Sequence, residues 1–337
     1  MKRRVLSTRG ALPGGGLVRL ASRADADVVR WTGTGKPEPT ELAELAGRSG
    51  GVSAVLALGN DRIDAGLLDA AGPGLRVVSL ASMGFDGVDQ RAAAERGVVV
   101  THTPGVLTET TADLAFALIL AARRGLGTAR DSLRSGAWDV FRMEDYLGLD
   151  VHGATLGLIG YGQIGQAVAR RATGFGMRVF YHDPFGPAVD GLAAAVGLPR
   201  LLAESDIVSL HVPLTDATRH LIGPAEMRAM KPTATLVNTS RGEVVDEAAL
   251  LRALTQGTIA SAGLDVYERE PRGADVADLV GCPRLFALPH VGSATQATRA
   301  AMVDLAVDNV LDVLGGRPAR TPLPGTNPLP GTNAVPA

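Results

Sequence analysis

The amino-acid sequence predicts an α/β protein of two doubly wound parallel-sheet domains. Three observations predict it. Short β-branched runs alternate with helical patterns almost from end to end, the alternation comes as two series separated by long helices, and a glycine-rich loop opens the second series. A chain of 337 residues also exceeds the usual size of one hydrophobic core.

In the first series Arg4–Thr8, Val28–Trp31, Ala54–Leu58, Val77–Leu80 and Val98–Thr101 read as strands, with Glu41–Ala46, Ala65–Ala71 and Arg91–Arg96 helical between them. The second series has strands at Thr155–Ile159, Arg178–His182, Ile207–Leu210, Thr235–Asn238, Ser261–Leu264 and Leu285–Leu288. Longer helical patterns lie at Leu107–Arg123, Gly127–Gly136 and Thr295–Leu314. Leu107–Arg123 is apolar nearly all round, so it belongs in a core or against a second subunit, and a homodimer through 107–138 is expected. The last helix is expected to pack back on the first domain. That makes 1–101 with 289–321 one discontinuous domain and 102–288 the other. In 322–337 the hexapeptide Pro322–Asn327 recurs at once as Pro328–Asn333, which predicts a disordered tail.

Composition narrows the function classes. Lys and Arg number 33 against 35 Asp and Glu, a balance that offers nucleic acid or anionic lipid no broad footprint. Only three of the basic residues are Lys, so nearly all positive charge is guanidinium, suited to carboxylate forks. One cysteine, Cys282, excludes an internal disulfide framework, and no spacing suggests a metal site. No apolar run approaches the roughly 18 residues of a membrane span, and the amino-terminal segment lacks a signal-peptide pattern, so a cytoplasmic protein is expected.

Gly160-Tyr161-Gly162-Gln163-Ile164-Gly165 is a G-x-G-x-x-G between a strand and a helix. In that context Gly160 permits the tight turn, Gly162 lets a pyrophosphate approach the backbone, and Gly165 lets helix and strand pack. Phosphates then lie over the helix amino terminus, with Gln163 and Ile164 at its start. Asp183, 23 positions after Gly160, ends the next strand, where a carboxylate accepts from both ribose hydroxyls and repels a 2′-phosphate. The cofactor read from these residues is NAD.

Three further segments carry a family resemblance: Val237–Gly242, Leu264–Pro271 and Pro289–Ser293. With the glycine loop, they make the chain from Val5 to Gly316 resemble the D-isomer-specific 2-hydroxyacid dehydrogenases. The resemblance implies a Rossmann NAD-binding domain inserted in a flavodoxin-like substrate domain, with the active site between domains. It also implies Arg241, Glu270 and His290 as the catalytic residues. The chemistry agrees, because a guanidinium holds a carboxylate in two-point geometry, a histidine protonates the alkoxide left by hydride attack, and a carboxylate orients that histidine. By the same match, Thr108, His211, Val212, Pro213, Thr239, Asp265 and Gly292 border the cofactor, with Arg241 and His290 beside it. Met83, Gly84 and Ser293 meet the substrate, again together with Arg241 and His290. Cys282, His102, His152 and His220 are read as structural.

Thr103–Asp113, Gly174–Met177 and the Gly136/Trp138 pair are similar to the glyoxylate and hydroxypyruvate reductase branch, in which a tryptophan at the place of Trp138 reaches the neighbouring subunit. Reduction of glyoxylate or hydroxypyruvate with NADH is therefore expected. Many members of that branch carry an arginine that favours NADPH where this chain has Asp183. A D-3-phosphoglycerate dehydrogenase and a non-catalytic NAD sensor, like the corepressors that share this fold, stay open.

Overall fold

The computed structural model describes residues 3–23, 25–186, 191–270 and 277–326. They fall into two compact units, Met1–Leu107 with the chain from Ala294 onward, and Thr108–Ser293.

The first unit holds a five-stranded sheet of Arg3–Ser7 (β1), Ala26–Arg30 (β2), Ala54–Ala57 (β3), Val77–Leu80 (β4) and Val99–Thr101 (β5). The order is β2-β1-β3-β4-β5, every pair parallel. Strand periodicity explains the two-sided core, since successive side chains point to opposite faces. Leu6, Val55, Val78 and Val100 pack with Leu42, Leu67 and Leu68. Their neighbours Val5, Leu56, Val77 and Val99 pack with Val303, Ala306, Val307 and Val310 of the helix Gln296–Leu314. Asp64 and Asp89 start the helices Ala65–Ala71 and Gln90–Glu95 by accepting the N–H groups of Leu67 and Ala92.

The tail differs from the expectation. Pro322 bridges Thr101, and the Leu323 N–H donates to Val100 O at 2.8 Å. Leu323 is only 1% exposed and joins the core under β5, while the Thr326 hydroxyl accepts from the Val100 N–H at 3.2 Å. Through Thr326 the first copy of the hexapeptide is packed rather than disordered, because one leucine and one hydroxyl fit the free side of β5. The second copy lies outside the described residues.

The second unit has seven parallel strands: Thr155–Ile159 (β6), Arg178–His182 (β7), Ala194–Ala195 (β8), Ile207–Leu210 (β9), Thr235–Asn238 (β10), Ser261–Leu264 (β11) and Leu285–Ala287 (β12). Their order is β12-β11-β10-β9-β6-β7-β8. The direction of winding reverses between β6 and β9, the switch point beside which doubly wound sheets bind ligands. β8, two exposed alanines at the sheet edge, had no sequence signal. The apolar helix Thr108–Arg123 is absorbed by this unit's own core, with Phe116, Leu118 and Ile119 packed beside Leu156, Leu158 and Val237. Its last residue, Arg123, is buried, and its guanidinium donates to the carbonyls of Asp150, Asp206 and Thr233. Among the described residues no helix is long and apolar enough to cross a membrane.

Candidate active site

At the carboxyl end of β6 the chain turns through Gly160 at φ +91° and enters the helix Gln163–Thr173. Two of the three glycines are demanded by the protein itself. A Cβ at Gly160 would meet His211 O at 2.6 Å, and one at Gly165 would meet Gly160 O at 2.4 Å. At Gly162 a Cβ would meet nothing within 4 Å. An exposed glycine over a helix amino terminus, with open space above it, fits a dinucleotide pyrophosphate. Thr108 approaches the same turn, its Oγ1 lying 3.3 Å from Gln163 Oε1.

Asp183 follows β7. Its Oδ2 accepts the Tyr161 N–H at 2.8 Å and its Oδ1 accepts the Phe185 N–H at 2.9 Å, so it braces the glycine loop. Each oxygen keeps a further lone pair for a ribose hydroxyl. His211, Val212 and Pro213 follow β9. His211 Nε2 lies 2.9 Å from Ser209 Oγ, and desolvation pushes the imidazole down to about 4, so it is neutral.

The turns after β10, β11 and β12 carry the other group. After β10, Asn238 Oδ1 accepts from the Ser240 N–H and hydroxyl, and Asn238 Nδ2 donates to Arg241 O at 2.8 Å. Thr239 lies inside that turn with its hydroxyl buried and without a hydrogen-bond partner among the described residues. Gly242 is required, since a Cβ there would fall 1.8 Å from Tyr267 C. This close approach sets Arg241 beside the segment that leaves β11. In that segment Glu270 Oε1 accepts the Tyr267 N–H at 2.8 Å, and Glu270 Oε2 is hydrogen-bonded to His290 Nδ1. Glu247 and Glu268 fix the same segment by exchanging backbone N–H to carboxylate bonds of 3.2 and 2.7 Å.

His290 adopts φ +53°, a left-handed conformation uncommon for a side chain of its size. Asp265 holds it there. The Asp265 backbone O accepts the His290 N–H at 2.9 Å, and the carboxylate accepts the Val291 and Gly292 N–H groups at 2.7 Å each. Gly292 O in turn accepts from the Thr111 hydroxyl at 3.3 Å, and Ser293 closes the unit. The hydrogen bond that His290 donates to Glu270 raises the imidazole above its ordinary 6.5, Asp265 adds to the rise, and Arg241 opposes it. Burial pushes Asp265 itself up to about 6.

Arg241, Glu270, His290 and Asp265 are thus brought together on neighbouring turns of one unit, with the glycine loop at the same carboxyl end of the same parallel sheet. Met83 and Gly84 lie in the first unit, in the turn after β4. Asn238, Tyr267, Glu247 and Thr111 were not singled out. Of these, only Asn238 had a local signal, a side chain placed to close a turn two residues on.

Residues 116–292 match the NAD binding domain of the D-isomer specific 2-hydroxyacid dehydrogenases. This chain belongs to that family. A glyoxylate reductase of Korarchaeum cryptofilum is 44% identical over 317 residues, 92% of each chain. Among solved structures, a Thermus thermophilus protein is 45% identical at a TM-score of 0.88, over 95% of this chain and 99% of that one. An NADPH-dependent glyoxylate/hydroxypyruvate reductase of Sinorhizobium meliloti, solved with NADP and malonate, is 35% identical at a TM-score of 0.84, over 99% and 100%. As a 2-hydroxyacid dehydrogenase the chain is an oxidoreductase with an NAD-binding domain, and its two parallel-sheet units are the fold of these relatives.

Proposed function

We propose that this 2-hydroxyacid dehydrogenase reduces glyoxylate or hydroxypyruvate to the 2-hydroxyacid with NADH. The observation that carries the reading is the Glu270 carboxylate, one oxygen fixed by the Tyr267 N–H and the other on His290 Nδ1. His290 Nε2 makes no hydrogen bond among the described residues, and the ring is exposed. The dinucleotide, when bound, supplies the hydride. Gly162, Gln163 and Ile164 hold its pyrophosphate, Asp183 its ribose hydroxyls, and Thr108, His211, Val212, Pro213, Thr239, Asp265 and Gly292 border it. Arg241 anchors the substrate carboxylate and polarises the carbonyl, with Ser293 as a further substrate contact, and the N–H groups of Met83 and Gly84 are assigned to a carboxylate-receiving turn of the first unit. His290, kept protonated by Glu270, donates its Nε2 proton to the developing alkoxide. The reverse reaction uses the same groups, with neutral His290 as the base.

NADH is proposed over NADPH because a carboxylate at Asp183 repels a 2′-phosphate, even though the Sinorhizobium meliloti enzyme is NADPH-dependent. A homodimer is part of the reading. Beyond the helix Thr108–Arg123 the chain exposes Leu133 (62%), Trp138 (52%), Phe141 (73%), Met143 (79%) and Leu147 (78%), a concentration of apolar surface that a second copy can cover. A cytoplasmic location accords with one cysteine in 337 residues.

The test is NADH oxidation at 340 nm with glyoxylate, hydroxypyruvate, pyruvate and 3-phosphohydroxypyruvate. The highest kcat/KM with either of the first two is expected. Preference for the phosphorylated acid would make the protein a phosphoglycerate dehydrogenase, and no turnover with any of them would make it an NAD sensor.

A further inference from the structure

We propose that His102 is a positioning residue for the loop Ala81–Phe85, fixing its backbone so that its amides receive the carboxylate of the 2-oxoacid. The proposal rests on the reading above for the identity of that carboxylate. Its basis lies wholly within the first unit. The Ala81 N–H is the last to pair with the sheet, donating to Ala57 O at 2.8 Å. The next four amides, of Ser82, Met83, Gly84 and Phe85, find no acceptor among the described residues. The carbonyls of the same four residues are all engaged. Ser82 O accepts the Thr103 N–H at 2.8 Å, and Met83 O accepts His102 Nδ1 at 2.9 Å. Gly84 O accepts the Ser82 hydroxyl at 2.6 Å, and Phe85 O accepts the Val88 N–H at 3.1 Å. A turn whose carbonyls are pinned while consecutive amides stay free, at the carboxyl end of an inner strand, is built to receive an anion.

His102 is the only side chain from outside the turn that holds one of those carbonyls among the described residues. Its ring also meets Phe85 edge-on, the centroids 5.7 Å apart at 82°. Both of its backbone groups are fixed in turn. The His102 N–H donates to Thr321 O at 3.2 Å, and His102 O accepts the Thr321 hydroxyl at 2.5 Å. Thr321 is fixed by Asn309, fully buried in the helix Gln296–Leu314, whose Nδ2 donates to the Thr321 hydroxyl at 2.8 Å. A continuous line of hydrogen bonds therefore runs from that helix through Thr321 and His102 to the turn. The residue read from sequence as merely structural acts through Met83.

The test compares His102→Phe, which keeps a ring against Phe85 but removes the donor, with His102→Asn, which retains an N–H donor. His102→Phe is expected to raise KM for glyoxylate about tenfold, the scale of one net hydrogen bond, with kcat and KM for NADH unchanged. His102→Asn should recover much of that loss. Chymotryptic cleavage after Phe85 should quicken in His102→Phe, a readout that needs no turnover. Unchanged cleavage overturns the bracing, and quicker cleavage with unchanged KM overturns the link to the carboxylate. An equal fall in kcat for both variants also overturns it, since that reports general damage. Failure of the substrate reading itself is distinct, because the unmutated protein would then prefer another 2-oxoacid to glyoxylate and hydroxypyruvate, or reduce none.

Discussion

Replacing Asp265 by asparagine separates stability from catalysis. The residue is 1% exposed, and its carboxylate accepts two consecutive amides at 2.7 Å. Burial nevertheless raises it from the ordinary 3.8 to about 6, which corresponds to about 3 kcal/mol of ionisation cost in the folded protein at pH 7. Asparagine removes that cost. It keeps one acceptor oxygen but turns an amide donor toward the other N–H, forfeiting a charge-assisted bond worth about 1.5–3 kcal/mol. The two effects are similar in size and opposite in sign, so the variant should melt within a few degrees of the parent at pH 7. The sign with pH follows from proton counting. Between about 4 and 6 the folded carboxyl holds more protons than the unfolded one, so the parent loses stability as pH rises through that window. The Asp265→Asn variant has no such loss, and the difference in Tm should move in its favour from pH 4 to pH 7. Catalysis should still suffer. The grip that keeps His290 at φ +53° is halved, and the negative charge that helps hold its imidazole protonated is gone. We expect kcat for oxoacid reduction to fall about tenfold to a hundredfold, on the scale of one charge-assisted bond. Its alkaline limb should move to lower pH. Thermal melts and kcat against pH check both halves. A variant strongly destabilised at pH 7, or one with an unmoved alkaline limb, would refute the reasoning.

His290→Ala should lower kcat by about 10²–10⁴, the scale of one general acid, with NADH binding measured by fluorescence unchanged. Because Glu270 raises His290, kcat for reduction should persist up to that raised value and fall as pH climbs through it. Asp183→Ala should relax the preference for NADH, read as the ratio of kcat/KM for the two coenzymes, and a parent that already prefers NADPH would contradict the ribose assignment. Leu323→Ala should cost about 2–5 kcal/mol for a buried leucine truncated in a core, measured by urea denaturation, whereas a disordered tail would show no change.

Much of this molecule was legible because its chemistry sits where local pattern is strongest. Buried parallel strands such as Ala54–Ala57 and Val77–Leu80 are apolar runs, broken only by Ser79 in the second, and the structure ends both within a residue of the sequence reading. The glycine loop announces itself through spacing that only a tight turn and a close helix require. What escaped was long-range. Nothing local to Asp265 tells that its carboxylate reaches residues 291 and 292, and nothing near His102 points to Met83 or Thr321. The tail misled for the same reason. A Pro/Gly hexapeptide lacks the composition to form a core of its own, yet one leucine suffices when another core has a gap of its shape. The short helices Leu198–Glu204 and Pro224–Ala229 were lost among loop-forming prolines at their own first turns.

The segment lying along β5 has a bearing on how the protein behaves when crowded or concentrated. β5 is the last strand of its sheet, and an outermost strand left bare offers a template on which foreign chains can stack. Proline at 322, which cannot donate, and a threonine hydroxyl in place of a further ladder bond cover that margin without presenting a fresh one outside it. A protein clipped ahead of Pro322 would gain a self-adhesive flank, and its first symptom would be turbidity rather than lost turnover.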